Sequence, residues 1–350
     1  MTKTKHMLRY SEARVEGCFI DYIGSYVDNE DVRLSANGIT AFHERTENVL
    51  KDFLFKSFEE VEYYSFDFSD GNFQMNPLYQ YAEKIFQDRS EMNELHGSIS
   101  KYLYNNSRHP QIKPGELLQV YVSDVLIDDQ MVDAYCIFKV EEKDAFLKLQ
   151  SDNILVEEGM LPGKVDKACI VFNMDGDDGY RLCVADRTSA QSDAQFWKEA
   201  FLNVKQRADD YYHTKNYILT TKQFVKERLK PLYDIERTEE AEIMNRCKSY
   251  MKSAETFDKG EYEQEVFYDE KVIEDFRQFQ EDLMEEKKTV FADKFEVKQQ
   301  AVKRYQKVFK SVIKLDKNFH IYVHGNRSMI EKGTDEEGRK FYKIFYNEET

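Results

Sequence analysis

"ELLQVYVSDVLIDDQMVDAYCIFKV", residues 116–140, decides the fold. Two runs rich in β-branched and aromatic residues, 116–127 and 131–140, flank Asp128-Asp129-Gln130, and that is the pattern of a β-hairpin. The pattern recurs downstream, where "CIVFN" (169–173) and "YRLCVAD" (180–186) flank "MDGDDG". That loop invites a calcium reading, since Asn173, Asp175 and Asp177 fall at positions 1, 3 and 5 of an EF-hand loop. Position 6 is then Asp178 and position 12 is Val184, so the turn glycine and the bidentate glutamate are both missing. A hairpin loop, with glycines supplying positive φ and aspartates capping local N–H groups, is the simpler reading.

Outward from the hairpins the elements alternate. "VEGCFIDYIGSYV" (15–27) reads as a strand pair or one bent strand. "TAFHERTENVLKDFLFKSF" (40–58) puts Phe42, Val49, Leu50, Phe53 and Leu54 on a helical stripe. Asn76-Pro77 is an N-cap with proline at the first helical position, and Ser90 is the expected cap of the next helix, which ends before His109-Pro110. From about Ala190 the period turns helical: 193–206 around Trp197, 216–229 ahead of Pro231, acidic helices over 238–253 and 270–285, and a long basic helix over 296–315. Two aromatic strands, 319–325 and 340–346, close the chain. The expected fold is α+β. A mixed strand/helix domain with antiparallel hairpins (1–190) precedes a mainly helical region (191–350) that ends in a β-hairpin.

The chain has 350 residues, 41% hydrophobic and 14% aromatic, enough for two folded domains. No apolar run approaches the roughly 20 residues of a membrane span, and the charged N-terminus lacks the apolar stretch of a secretory signal. A cytoplasmic protein with no membrane partner is expected. Cys18, Cys136, Cys169, Cys183 and Cys247 form no C-x-x-C pair, so neither disulfides nor zinc are expected.

The net charge of −16 argues against indiscriminate coating of DNA, but it is unevenly spread. Residues 187–232 hold nine Lys/Arg against five Asp/Glu, residues 234–287 eight against eighteen, and residues 294–327 nine against two. On a helix over 296–315, Val297, Ala301, Tyr305, Val308, Val312 and Leu315 form an apolar face. Lys303, Lys307, Lys310, Lys314 and Lys317 form a separate cationic stripe, extended by Lys294, Lys298 and Arg304. Such a stripe could track a phosphate backbone, or be a solvated face neutralised by the acidic helices upstream. "YYHTKNY" (211–217), with His213 and Lys215 among aromatic rings, is either a base-stacking platform or a piece of core.

Enzyme signatures are sparse. His320 and His324 would lie about 13 Å apart along a strand, too far to share a metal. No phosphate-cradling glycine loop, zinc-protease or nucleophile-elbow motif occurs. Asp133 with Glu141 and Lys143 loosely matches the acidic residue plus E-x-K set with which some nucleases hold Mg²⁺, although charged residues at strand ends are ubiquitous.

Four stretches together carry a family resemblance: residues 109–149, 167–202, 211–217 and 309–349. In their shared order they resemble the NdpA-type bacterial nucleoid-associated proteins; the first hundred residues match more loosely. The resemblance implies association with the nucleoid, DNA binding directly or through partners, and no catalytic residues or cofactor. It adds weight to the basic C-terminal segment, so Lys298, Lys303, Arg304, Lys307, Lys310, Lys314, Lys317 and Arg327, with His213 and Lys215, are the expected contacts to double-stranded DNA. No base-edge readers are evident, so little sequence preference is expected. Two other readings stay open: an acidic adaptor for a nucleoid or DNA-processing protein, and the Mg²⁺-dependent nuclease. The oligomeric state is undetermined, a homodimer included.

Overall fold

A computed structural model describes residues 8–58, 62–110, 112–186, 196–235, 237–309, 311–315, 319–323, 330–346 and 348. The chain divides into two compact units, Met1–Arg207 and Ala208–Thr350.

The quoted hairpin is the centre of the first unit. Strands β3 (Gly115–Ile127) and β4 (Gln130–Val140) pair in antiparallel register through a two-residue connection, with Ile127 opposite Gln130. Asp128 and Asp129 both have positive φ (46° and 66°), the backbone of a type I′ turn, whose twist matches that of the strands it joins. Ser123 and Asp124 form a bulge opposite Asp133, and Asp124 takes φ 60° to make it.

Around this pair a seven-stranded antiparallel sheet is built in the order β1-β3-β4-β7-β8-β2-β9, with β1 (Arg14–Ile23), β2 (Tyr63–Phe66), β7 (Lys167–Phe172), β8 (Arg181–Asp186) and β9 (Val204–Gln206). Both faces are covered, which explains why β4 and β7 read as continuous apolar runs rather than alternating ones. Leu117, Tyr121, Tyr135, Ile137, Cys169 and Val171 face a core shared with helices α2 (Pro77–Gln87) and α3 (Met92–Asn106). Leu118, Val120, Cys136, Phe138, Ile170 and Phe172 face the other way, onto Phe53, Leu54 and Phe55 of α1 (Glu44–Phe55). Strands β5 (Asp144–Gln150) and β6 (Asn153–Gly159) make a separate two-stranded hairpin.

Asn76 caps α2 as its sequence implies: its Oδ1 accepts from the N–H groups of Leu78 (2.8 Å) and Tyr79 (3.3 Å). The turn before α3 is capped by Asp88, not Ser90; the Ser90 N–H donates to the Asp88 carboxylate at 2.9 Å. Residues 15–27 give one strand rather than a pair. The stretch after residue 190 also differs from expectation. Residues Phe196–Leu202 form a π-helical turn whose Trp197 is buried in the first core, donating to the Ala168 carbonyl at 3.2 Å. Val204 then starts edge strand β9. The first unit therefore runs past the change of period, to Arg207.

The second unit is mainly helical. Helix α4 (Asp210–Phe224) continues through a π-helical stretch, Val225–Leu229, into Lys230–Tyr233. Contrary to the sequence expectation, Pro231 does not stop it; the wider π turn just before the proline relieves the lost N–H and the ring clash. Helices α5 (Arg237–Ser253), α6 (Lys259–Phe267) and α7 (Glu270–Lys287), a short ladder of β10 (Thr256–Asp258) with β11 (Lys294–Glu296), and α8 (Gln299–Arg304) surround an aromatic core of Tyr217, Phe224, Phe257, Tyr262, Phe276 and Phe295. Two hairpins follow: β12 (Ser311–Leu315) with β13 (Phe319–Val323), and β14 (Ile330–Thr334) with β15 (Lys340–Ile344). The closing hairpin is present, but 319–323 pairs with 311–315 and not with the last strand. Among the described residues no helix is long and apolar enough to cross a membrane.

Candidate nucleic-acid interface

The basic segment does not form one helix. Helix α8 ends at Arg304, where the N–H of Tyr305 bonds back to Ala301, and Gln306–Phe309 is a 3₁₀ turn. "SVIKL" (311–315) then pairs with "FHIYV" (319–323). Two β-branched residues facing an aromatic, β-branched partner gain more from a ladder than from a helical 3.6-residue repeat, so tertiary pairing overrides the local period. The single cationic stripe is therefore broken into a helix end, a turn and a strand.

What fixes the helix end is burial of Ala301, Val302 and Phe309 in the second core. Lys303 and Lys307 lie exposed between these anchors and make no ion pair with any described residue. Arg304 is exposed beside them. The cations N-terminal to α8 are occupied instead. Lys298 Nζ sits 2.9 Å from Glu296 Oε2 and 3.4 Å from Asp210 Oδ2, with its side chain only 13% exposed. Lys294 lies 3.0 Å from Asp258, whose hydrogen bond and charge raise the ammonium above its ordinary value. Lys314 stands on β12 opposite His320 in register. Lys310, Lys317, His324 and Arg327 lie outside the described residues.

"YYHTKNY" belongs to α4, where Tyr211, His213 and Tyr217 are buried and Tyr212 is half-buried. His213 is buried, its ring centroid 5.4 Å from those of Tyr212 and Phe295, and burial lowers its pKa. Lys215 is also buried, its ammonium 5.8 Å from the Tyr212 ring centroid. Neither faces a surface on which DNA could lie.

The acidic helices take cations from the continuation of α4 and from their own arginines. Arg228 pairs with Asp282, Lys230 with Glu240, Arg246 with Glu242 and Arg277 with Glu263. Lys303 and Lys307 are not neutralised by them. Sequence periodicity missed Lys340, which is exposed on β15 without an ion pair to any described residue; only the basic, aromatic character of "KFYKIFY" hinted at it.

The Mg²⁺ reading of the first unit does not assemble. Asp133 and Glu141 stand at opposite ends of β4, roughly 26 Å apart at strand rise. Asp133 accepts from the Tyr121 hydroxyl at 2.6 Å. Glu141 is buried between Lys139 (2.9 Å) and Lys167 (3.4 Å), and Lys143 pairs with Glu116. Burial lowers the Lys139 pKa, against the pull of Glu141. In the "MDGDDG" loop, Asp175 is held by Arg181 (2.9 Å) and Arg207 (3.2 Å), an ion-pair clamp on a hairpin turn. Among the described residues no cluster of His, Cys, Asp and Glu is arranged to hold a metal.

Among curated proteins none is significantly similar in sequence. A family model matches residues 28–339, bears out the NdpA-type resemblance and extends it into the N-terminal part. With that match over most of its length, the chain belongs to the NA37 family, nucleoid-associated protein YejK.

Proposed function

We propose that this nucleoid-associated protein contacts the phosphates of double-stranded DNA directly, with little sequence preference and without catalysis. The contacts are Lys303, Arg304 and Lys307, with Lys310, Lys314, Lys317 and Arg327 from the segment that follows. The observation that carries this reading is the exposure of Lys303 and Lys307 on a buried anchor, without an ion pair to any described carboxylate, in an otherwise acidic molecule. His213, Lys215 and Lys298 are not retained, because the first two are core and the third is paired.

Each phosphate neutralised releases counterions, so seven contacts give a slope of about −6 for log affinity against log salt. The test is a mobility-shift series over salt on two unrelated duplexes. Lys303→Glu with Lys307→Glu is expected to weaken both equally and to flatten the slope by about 2. Retention unaffected by that double reversal refutes the proposal.

A second reading has its own observation. Glu270, Glu274, Glu281 and Glu285 form an exposed stripe on α7 without ion pairs to any described residue. Such a stripe suits docking of a basic nucleoid or DNA-processing protein. It predicts no DNA retention by the purified chain, together with salt-sensitive capture of the partner, lost on Glu→Gln changes along α7.

A further inference from the structure

The β5–β6 hairpin is an arm with one greasy face. Leu147 stands opposite Val156 and Leu149 opposite Ile154, and residues at i and i+2 share a face, so the four aliphatic chains form one patch. They are 62–74% exposed. The other face carries the Lys148–Glu157 ion pair at 2.9 Å, beside Phe146 and Leu155. A two-stranded hairpin is marginal by itself, and on the order of 450 Å² of contiguous aliphatic surface is near the upper end of what a monomer leaves in water.

At the foot of the arm the same unit offers a receptor. A groove of about 460 Å³ is lined by Ile20, Ile39, Phe42, Val49, Met160 and Pro162 among others, nearly all apolar. Met160 and Pro162 directly follow β6, so the arm rises from the rim of the groove while its own patch stays exposed. Arg45 also lines the groove and makes no ion pair with any described residue. Glu158 lies on the apolar face of the arm, opposite Ala145, exposed and likewise without an ion pair to any described residue.

We propose that the occupant of each groove is the arm of a second copy of this chain, in a two-fold dimer with reciprocal arms. Because the arm's root adjoins the groove, one two-fold operation places both arms in both grooves and closes the assembly. Leu147, Leu149, Ile154 and Val156 enter between Ile20, Ile39 and Val49, and Glu158 meets Arg45 across the interface. Two arms and two groove walls together remove on the order of 1,800 Å² from water, the size class of a stable protein–protein interface.

Sedimentation equilibrium of the full chain tests this. The expected mass is twice 41.6 kDa at micromolar concentration. Leu147→Glu with Leu149→Glu on the arm, and separately Val49→Glu in the groove, are each expected to raise the dimer dissociation constant at least about 100-fold. Both sites are exposed, so circular dichroism should show unchanged folding. Arg45→Glu and Glu158→Arg should each weaken the dimer and together restore it. All five native cysteines are buried, so a Leu149→Cys chain mixed with a Val49→Cys chain is expected to form an intermolecular disulfide that neither forms alone. A mass of 41.6 kDa throughout the range, or a dimer indifferent to both the arm and the groove variants, overturns the proposal. So does a Val49–Leu149 disulfide formed within one doubly substituted chain, which would seat the arm in its own groove.

Discussion

Lys298 and Asp210 face each other at 3.4 Å, and the Lys298 backbone N–H donates to Thr214 Oγ1 at 3.1 Å, so a residue that reads as part of a DNA-binding stripe ties the start of α8 to α4. Lys298→Ala should therefore cost stability, about 1 kcal/mol for a half-buried pair with a second carboxylate nearby. Its DNA midpoint should stay within about twofold of wild type, because one phosphate contact at most is at stake. Lys303→Glu should do the reverse, weakening DNA retention while leaving the urea midpoint in place. Urea unfolding and mobility shift on the same two proteins separate the roles; a matched loss of both properties in Lys298→Ala puts that side chain back on the DNA face.

His213 supplies a pH signature. Burial depresses its pKa below the ordinary histidine value, so between the two values the unfolded chain holds more proton than the folded one. Stability tied to His213 is complete above about pH 6.5 and declines as pH falls below it. The urea midpoint of the wild type should fall between pH 7.5 and pH 5.5 by more than that of His213→Gln. Equal falls would mean that the ring is solvated.

These outcomes mark what the residues alone reveal. The hairpin over 116–140 was legible because two alternating-to-apolar runs and a two-residue turn leave no other economical reading, and the Asn76-Pro77 helix start was legible because capping is local. The 296–315 segment was not. Its lysines and valines repeat every three or four residues, yet Val312 and Ile313 are also good strand formers, and the deciding partner, 319–323, lies outside the window in which periodicity is judged. His213 and Lys215 show a related limit: polar residues interleaved with aromatics look alike in a binding platform and in a core that satisfies them. The apolar patch of the arm was invisible for the same reason. In "DAFLKLQSDNILVEEG" the aliphatic residues alternate with polar ones as on any half-buried strand, and only the structure leaves Leu147, Leu149, Ile154 and Val156 exposed.

Asp21 anchors a buried polar network in the first unit. Burial alone would raise its carboxyl pKa, but hydrogen bonds from Ser100 (2.6 Å) and His96 (2.9 Å), and from the Ser35 N–H (2.8 Å), outweigh that and hold it below the ordinary value. The folded state then binds fewer protons than the unfolded one just below pH 4, so the associated stability is present above that pH and is lost as pH falls through the depressed pKa. Asp21→Asn should cost about 2–4 kcal/mol near neutrality, since its amide cannot accept from every donor. The gap to wild type should narrow steadily between pH 4 and pH 2.5 in urea titrations. A constant gap would exclude the carboxylate as the titrating group.

Glu141 separates structure from chemistry. Removing its charge leaves the buried Lys139 ammonium without its carboxylate and Lys167 with only Asp186 at 3.8 Å, and Glu141→Gln should destabilise the protein by about 3–5 kcal/mol. Supercoiled plasmid incubated with Mg²⁺ should remain intact with wild type and variant alike. Nicking by the wild type that disappears in Glu141→Gln at a temperature where both are folded would restore the nuclease reading.

Gly179 and Gly163 make a matched pair. Both hold positive φ, 83° and 80°, so alanine at either pays the left-handed strain of about 1 kcal/mol. Around Gly163 an added Cβ meets nothing within 4 Å, whereas at Gly179 it would come within 2.7 Å of the Phe66 carbonyl oxygen. That oxygen belongs to β2, and the Phe66 N–H donates to the Gly179 carbonyl at 2.8 Å, so the loop cannot retreat without breaking the bond that docks the β7–β8 turn on its neighbour. Gly163→Ala should therefore cost about 1 kcal/mol, and Gly179→Ala about 3 kcal/mol. Amide exchange at Phe66 should quicken in the second variant only. Equal costs in urea unfolding would show that conformational strain alone, and not the closeness of the Phe66 carbonyl, demands glycine in "MDGDDG".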